Sequence, residues 1–345
     1  MKELQYMLMT TVLLLLCSCS DDDKTEDLLP QEEEQHLISV SATTQDFTRA
    51  DKTTMDNLQR NGFSVVCGKL DPYGYLSTYD GFSDNCVYDA TEEQWNWEKD
   101  MHYWTKDDEN GGGYIPLEFF ALYTPTEDID LGAVMGDQIT VLFQNGNQGT
   151  ADIMLATLYD ASYETNNGVL LFDFKHILAN VTVAAQVTSE HSEAFEYYTV
   201  KAVLSSPKYV EYAPKGYEYD DFLGEKWYYD EEKGTIDFNF EDSDARFYTT
   251  DNSPKALGSN YFLVPNTDTR NRYYDLKVIC YGYQPGDANG TLLKELSTKV
   301  NLNGCEGKNV VLNLNIDLHN DEIVIDTKHF HTSLDAPAVR ITDEN

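Results

Sequence analysis

The most regular stretch of the chain is Leu312-Asn313-Leu314-Asn315-Ile316-Asp317-Leu318. Apolar and polar residues alternate over all seven positions, which places the aliphatic side chains on one face of an extended strand and the polar side chains on the other. An amphipathic helix would instead repeat its apolar residues three and four positions apart. The stretch therefore predicts a half-buried β-strand, with one face on a core and the other in solvent.

The same period of two recurs along the chain. In Ile38-Ser39-Val40-Ser41-Ala42 the three apolar residues share one face and the two serines share the other. Gly, Pro, Asn and Asp separate further short apolar segments, as they do between strands. Strands are predicted at 62–66, 117–123, 137–143, 169–174, 181–187, 197–204, 235–240, 261–264 and 274–281. Only 151–158 and 176–180 are interpreted as turns or single helical turns, so the chain is predicted to be an all-β, antiparallel sandwich protein.

The length of 345 residues allows two domains. The pattern breaks at Thr165-Asn166-Asn167-Gly168, just before a new apolar strand. We therefore predict an N-terminal β-sandwich domain at 36–165 and a C-terminal one at 166–345.

Charge excludes one class of partner. The chain has 24 basic and 60 acidic residues, a formal net charge of −36, and would be repelled by phosphate backbones and anionic lipid surfaces. Nucleic acid is therefore not an expected partner. Hydrophobic residues make up 41% of the chain and aromatic residues 12%, which is enough to build a core.

The amino end has the features of an export signal. The apolar run at 7–16 is shorter than the ~20 residues that a transmembrane helix needs. It is followed by Leu16-Cys17-Ser18-Cys19, which resembles the lipobox of bacterial lipoproteins, with a small residue directly before Cys19. We predict a lipoprotein signal peptide at 1–18, lipidation of Cys19, and an acidic, solvated tether at 19–35 that links the protein to the outer membrane through its lipid.

Four cysteines remain in the body of the chain: Cys67, Cys86, Cys280 and Cys305. In an exported protein they are compatible with two disulfides, one disulfide or buried free thiols. No Cys-x-x-Cys or Cys/His spacing suggests zinc.

Motifs for catalysis and cofactors are missing from the sequence. There is no Gly-x-Ser-x-Gly, phosphate-binding loop or dinucleotide fingerprint. Acidic pairs such as Glu231-Glu232 are typical of the surface of so acidic a chain, and His176 lies in an apolar segment that favours a core or interface role. His329 and His331 lack a third metal ligand. We therefore expect no enzymatic activity, no cofactor and no metal.

Several segments, taken in serial order, resemble the fimbrillin family, the lipoprotein pilus subunits of Gram-negative gut and oral anaerobes. The resemblance spans nearly the whole chain. It is carried by the lipobox at Cys19, Phe47-Thr48-Arg49-Ala50, Tyr103-Trp104-Thr105, 117–125, 152–156, 171–179, Tyr261-Phe262-Leu263-Val264-Pro265 and Gly307-Lys308. Asn266 stands where the family usually has Gln.

The resemblance implies two tandem transthyretin-like antiparallel β-sandwich domains and a specific assembly mechanism. In fimbrillins a trypsin-like or arginine-specific maturation protease removes the first strand, and a strand from another subunit fills the groove. Here the displaced strand would carry Ile38, Val40 and Ala42, and the cut would fall between Arg49 and Ala50. A sheet edge without its partner recruits extended segments. A segment near a chain terminus can leave its own subunit without disrupting the core. The candidate donor residues are therefore those near the carboxyl end: Ile323, Val324, Ile325, Val339 and Ile341.

The function expected from the resemblance is that of a structural subunit of a cell-surface fimbrium. Its partners would be other fimbrial subunits, the outer membrane, the protease, and a host or bacterial surface receptor for adhesion. The alternative is a surface glycan-binding lipoprotein, because exposed aromatic residues stack on sugar rings. The aromatic cluster of Trp95, Trp97, Tyr103 and Trp104 suggests this alternative, while core packing is the other fate of such residues.

Overall fold

The computed structural model describes residues 35–44, 55–70, 76–107, 112–124, 152–188, 195–207, 210–213, 226–229, 234–251, 253–265, 274–302, 304–320, 322–330 and 339–340. Cys19, Arg49, Ala50, Ile341 and the predicted strand at 137–143 lie outside these residues. The chain divides into two compact units, Met1–Gln35 and His36–Asn345, and the elements described below belong to the second.

The described residues form mostly strands, which confirms the predicted all-β class. The two helices are short, α1 (Met55–Asn61) and α2 (Tyr163–Asn166). The strands are β1 (Ser39–Thr44), β2 (Phe63–Leu70), β3 (Leu76–Asp89), β4 (Gln94–Trp97), β5 (Leu117–Tyr123), β6 (Met154–Ala161), β7 (Val169–His176), β8 (Ala179–Thr188), β9 (Tyr197–Pro207), β10 (Val210–Ala213), β11 (Lys226–Tyr229), β12 (Thr235–Glu241), β13 (Lys255–Ala256), β14 (Tyr261–Leu263), β15 (Tyr274–Tyr283), β16 (Thr291–Val300), β17 (Asn309–Asp317), β18 (Glu322–Phe330) and β19 (Val339–Arg340).

The first seven strands close into a barrel in the order β1-β4-β3-β2-β5-β6-β7, with β1 joined to β7 to complete the ring. β7 alternates exposed and buried side chains along its whole length, so every second residue enters the barrel core. Aromatic side chains dominate that core; Phe63 lies 4.9 Å, ring centre to ring centre, from both Trp95 and Phe174.

Strands β8, β9 and β12 to β19 form two sheets around a second core, and β10 and β11 pair with each other in a separate two-stranded sheet. One sheet has the order β12-β9-β15-β16, and the other has the order β13-β8-β17-β18-β19, with β14 also paired to β8. Both sheets contribute to one cluster of buried residues, for example Val183 of β8, Leu204 of β9 and Leu312 of β17. The shared core makes this part of the chain a sandwich. β7, which ends at His176, belongs to the barrel, whereas β8, which begins at Ala179, belongs to a sheet of the sandwich. The domain limits 36–165 and 166–345 stay a prediction.

Two strand pairs correct the prediction of a wholly antiparallel architecture. β1 runs parallel to β7, and β17 runs parallel to β8. Each pair joins strands that are far apart in the sequence, so no hairpin turn imposes an antiparallel arrangement. The alternation of side chains is the same in both orientations and does not distinguish them.

The two segments predicted as turns or helical turns are also strands. Residues 154–158 lie in β6, and the segment 176–180 ends β7 and begins β8. β6 begins with three buried residues in succession, a short apolar run that periodicity alone does not assign to helix or strand. Ile177 and Leu178, between β7 and β8, are buried as well.

Candidate functional site: the place of the first strand

β1 is an integral part of the barrel. It pairs in parallel with β7 at six successive positions, from Ser39 with Val169 to Thr44 with Phe174. Ile38 is 1% exposed and Ala42 is 4% exposed, while Ser39 faces solvent. The predicted alternation is therefore realised in the fold: Ile38 and Ala42 belong to the barrel core, and Val40 packs against it.

The other edge of β1 is held mainly by the segment that follows β4. With β4 itself β1 shares one residue pair, Val40 with Trp95. The backbone amide of Ile38 donates to the carbonyl of His102 over 2.8 Å, and the amide of Trp104 donates to the carbonyl of His36 over 2.8 Å. Leu37 forms an isolated bridge with Tyr103. Residues 102–104 thus extend the barrel wall alongside the start of β1.

Two indole groups add hydrogen bonds at the same place. Trp97 Nε1 donates to the carbonyl oxygen of Ile38 over 2.9 Å. Trp104 Nε1 donates to the carbonyl of Gly168 over 3.4 Å, and that carbonyl also accepts the amide of Ser39 over 3.1 Å. Side chains of the barrel wall therefore help to hold the backbone on both sides of Ile38.

A buried carboxylate organises the segment 99–102. Asp84, on β3, is 3% exposed. Its carboxylate accepts the backbone amides of Asn85 (2.8 Å), Lys99 (3.3 Å) and Asp100 (3.4 Å) and lies 3.0 Å from His102 Nε2. Burial alone raises the pKa of Asp84, but the hydrogen bonds from His102 and these backbone amides outweigh it and hold the pKa below its ordinary value.

The ring of His102 is fixed from two further sides. It lies over Phe82, with ring centres 3.9 Å apart, and meets the edge of Trp97 at 4.8 Å. The same residue thus offers its carbonyl to Ile38 and its imidazole to Asp84. Sequence reasoning missed Asp84, Phe82 and His102, because residues so far apart along the chain give no local signal of their contact.

The place where β1 leaves the barrel bears on the predicted cut. β1 ends at Thr44 and α1 begins at Met55, so Arg49 lies in the connection between them, outside the described residues. Arg60 lies in the last turn of α1. Arg246 stacks on the ring of Tyr197 at 4.5 Å, and the next residue, Phe247, exchanges two backbone hydrogen bonds with Tyr198.

The candidate donor segments are paired within the chain. Residues 323–325 lie in β18, which pairs with β17 at nine positions. Val339 lies in β19, which pairs with β18 at two positions. Ile341 lies beyond the described part of the chain.

The aromatic cluster proposed to stack on sugars is divided between core and surface. Trp95 and Trp104 are 8% and 4% exposed and contribute to the barrel core, and Trp97 is half-buried. Tyr103 is 42% exposed and lies on the wall of a cleft of about 400 Å³. Of the predicted cluster, Tyr103 is therefore the residue best placed to meet a ligand.

The remaining chemical candidates are buried. His176 Nδ1 lies 2.5 Å from Asp152 Oδ2, and both side chains are buried. Cys67, Cys86, Cys280 and Cys305 are buried, and these four thiols are not joined in disulfides. In the described ranges no group of three or more His, Cys, Asp or Glu is arranged to hold a metal, and no helix there has the length and hydropathy to cross a membrane.

Three solved fimbrial proteins resemble this chain in structure, at low sequence identity. A fimbrial protein from Bacteroides vulgatus is 14% identical, aligns over 87% of this chain and all of its own, and has a TM-score of 0.51. A fimbrial assembly protein from Parabacteroides distasonis is 10% identical, with coverage of 86% and 96% and a TM-score of 0.38. The fimbrial anchor protein Mfa2 from Porphyromonas gingivalis is 12% identical, with coverage of 86% and 97% and a TM-score of 0.38.

The likeness to the Bacteroides vulgatus protein is the one that establishes a shared fold, since the other two TM-scores are lower. No protein-family model matches the chain, and no curated protein matches it. The chain therefore has the fold of a Bacteroides fimbrial protein, in agreement with the fimbrillin resemblance of its sequence.

Proposed function

We propose that this chain is a structural subunit of a cell-surface fimbrium that polymerises by strand exchange after removal of β1. The observation that carries the proposal is the position of β1 between β7 and β4, where it closes the ring of the barrel. Removing β1 converts a closed barrel into an open sheet with two unpaired edges. Such edges recruit an extended segment of another chain.

The vacated groove would offer both backbone and apolar contacts. β7 would expose six residues of unpaired backbone beside the buried side chains of Leu170, Phe172 and Phe174. Each regained backbone hydrogen bond contributes about 1 kcal/mol net. Filling the place of Ile38 with another large aliphatic side chain contributes roughly 1.5–3 kcal/mol. Together these contributions favour replacement of the lost strand over an empty groove.

Cleavage at Arg49 would release β1 without cutting a described helix or strand. Cleavage after Arg60 would fall within α1, and cleavage after Arg246 would fall in a segment fixed by the bonds of Phe247 to Tyr198. Proteases cut helices and paired segments less readily than loop tips. The position between β1 and α1 thus supports Arg49-Ala50 as the processing site.

The carboxyl end is the favoured donor. Release of β19 breaks two residue pairs with β18, whereas release of β18 breaks nine with β17 and uncovers an edge of the second core. A donor segment around Val339 and Ile341 therefore leaves its own subunit at lower cost than Ile323, Val324 and Ile325. The partners of the chain in this account are further fimbrial subunits, of the same or another kind.

The proposal also includes the export pathway. Lipidation of Cys19 after removal of the signal peptide would anchor the unprocessed chain in the outer membrane, and the acidic tether would hold it at the cell surface. Two tandem transthyretin-like domains, a maturation protease and a role in adhesion to a host or bacterial receptor complete the account. No catalytic activity is proposed.

Limited digestion of the purified chain with an arginine-specific protease tests the proposal. We expect a product that begins at Ala50 and forms a ladder of oligomers that resists mild detergent. Arg49→Ala should block both the cut and the ladder, and the matched control Arg60→Ala should leave both unchanged. A product that begins at Ala50, has lost β1 and stays monomeric would refute strand exchange.

A further inference from the structure

We propose that the cleft beside the start of β1 binds an uncharged saccharide. This cleft has a volume of about 400 Å³ and lies against His102 and Tyr103. Clefts that hold small ligands have volumes of roughly 300–1,000 Å³ and combine aromatic walls with a few polar groups. The proposal does not depend on strand exchange, because it concerns a surface that exists before β1 is removed.

The apolar part of the cleft comes from aromatic rings. Tyr79 and Phe82 of β3 line the cleft together with Tyr103. Phe82 is covered by the ring of His102 and meets Phe119 of the barrel core, so its position is fixed by packing. Tyr103 is 42% exposed, and such a ring offers a face to the apolar C–H groups of a pyranose.

The polar part is small and mixed in character. Ser83 and Thr105 supply hydroxyl groups, and Lys99 and Asp100 supply a cation and a carboxylate. The hydroxyl groups both donate and accept hydrogen bonds, as the hydroxyl groups of a sugar require. Asp84 also lines the cleft, but its carboxylate already accepts three backbone amides and faces His102, so we assign it a positioning role.

The balance of charge favours an uncharged ligand. Within a chain of net charge −36, this cleft sets Lys99 beside Asp100 and His102 beside Asp84. An anionic ligand would be repelled by Asp100 and by the acidic chain as a whole, and a cationic ligand would be repelled by Lys99. A neutral saccharide avoids both repulsions and uses the donors and acceptors of the polar rim.

The cleft is formed before a ligand arrives. Asp84 fixes the backbone of residues 99 and 100, and Phe82 and Trp97 fix the ring of His102. The backbone of Tyr103 is held by its bridge to Leu37, and its hydroxyl group contacts the sulfur of Met101. A binding surface that is already ordered loses less conformational entropy when it binds.

The test uses the purified full chain and a printed panel of neutral oligosaccharides ending in galactose, N-acetylglucosamine, mannose or xylose, with sialylated and sulfated saccharides as charged comparators. We expect specific retention of neutral members. Calorimetric titration of the strongest one should show about tenfold weaker binding for Tyr103→Ala and for Tyr79→Ala, since a well-placed aromatic contact is worth up to about 1.5 kcal/mol. Tyr103→Phe, which keeps the ring, should bind within about threefold of the unmodified chain.

Tyr248→Ala is the matched control, because Tyr248 is a similarly exposed tyrosine at 38% that does not line the cleft. It should leave the affinity unchanged, and thermal unfolding of each variant reports whether the fold is kept. The proposal is overturned if no neutral saccharide is retained, if charged saccharides bind more tightly, or if binding survives both alanine substitutions. If a tyrosine-to-alanine variant unfolds, Tyr103→Leu, which keeps an apolar side chain but removes the aromatic ring, decides the matter: an affinity that Tyr103→Leu leaves unchanged places the ligand elsewhere.

Discussion

The indole Nε1 of Trp97 donates a 2.9 Å hydrogen bond to the carbonyl oxygen of Ile38. A side chain of the barrel wall is thus attached to the backbone of the segment that closes the barrel. In Trp97→Phe this donor is lost, at a cost of about 1 kcal/mol. After cleavage at Arg49 we expect the fragment that carries β1 to dissociate about fivefold faster, as measured by mass spectrometry of the released peptide. Trp104→Phe, which removes the longer 3.4 Å bond to Gly168, should have a smaller effect.

Ile38 is the large aliphatic side chain that β1 and its start bury most completely, at 1% exposure. Ile38→Ala should lower the free energy of unfolding by roughly 2–4 kcal/mol, because the cavity adds to the lost burial. Urea denaturation followed by tryptophan fluorescence measures the change. The neighbouring Ser39→Ala, at an exposed position, should change stability by less than about 0.5 kcal/mol. Equal losses of stability for the two substitutions would contradict the assignment of Ile38 to the core and of Ser39 to the solvent face.

Acid should weaken the barrel wall through Asp84. Its pKa is lower in the folded chain than the ordinary value of about 3.9, so ionised Asp84 stabilises the fold above that pH, and the stabilisation is lost as the pH falls through the folded pKa. Asp84→Asn should therefore be less stable at pH 7, by about 1.5–3 kcal/mol, and the difference should shrink as the pH falls through the folded pKa of Asp84. Denaturation at several pH values measures the free energy of unfolding of the unmodified chain and of Asp84→Asn. A difference between the two that stays constant with pH would argue against this role of the carboxylate.

Gly62 is required by its surroundings as well as by its backbone conformation. Its φ is +72°, and a Cβ atom there would lie 2.5 Å from the carbonyl oxygen of Cys86. Gly112 has a similar φ of +81° with nothing within 4 Å of such a Cβ. Gly112→Ala should cost about 1–2 kcal/mol from left-handed strain alone, and Gly62→Ala should cost more because β3 must shift. Thermal unfolding of the two variants gives the difference between their losses of stability, which is the contribution of the clash between the added Cβ and the carbonyl oxygen of Cys86.

The four body thiols should be inert in the folded chain. Burial raises the pKa of Cys86, and it raises the pKa values of Cys280 and Cys305 to about 12 each. Because the thiolate is the reactive form, iodoacetamide at pH 8 should leave Cys67, Cys86, Cys280 and Cys305 unmodified until the protein is unfolded. Peptide mass spectrometry with and without denaturant measures this. Rapid alkylation of any of the four without denaturant would contradict their buried placement.

Strands with clean alternation or a continuous apolar run were predictable from the sequence. The segments 117–123 and 235–240 agree with β5 and β12, because apolar residues with strong β propensity lie between clear turn signals. β3 and β16 were missed. β3 carries Ser77, Asp80 and Asp84, and β16 carries Lys294 and Lys299, so their polar content hides the period of two. Pairing with neighbouring strands overrides the weak local preference of such segments.

The contacts around β1 were beyond the reach of sequence reasoning. Alternation placed Ile38 and Ala42 on one face, and both are buried. That β1 lies parallel to β7, and that His102 and Trp97 bind its backbone, depends on which strands become neighbours in the barrel. Local periodicity carries no information about such neighbours, and the same limit explains why the burial of Trp95 and Trp104 could not be separated from the exposure of Tyr103.

The amino-terminal residue of the chain in fimbriae sheared from the cell surface tests the central claim most directly. Edman degradation or mass spectrometry of detergent-resistant polymers should identify Ala50 as the first residue, with β1 absent from the fibre. Polymers whose subunits begin at lipid-modified Cys19 and retain Ile38, Val40 and Ala42 would show that the chain assembles without giving up its first strand.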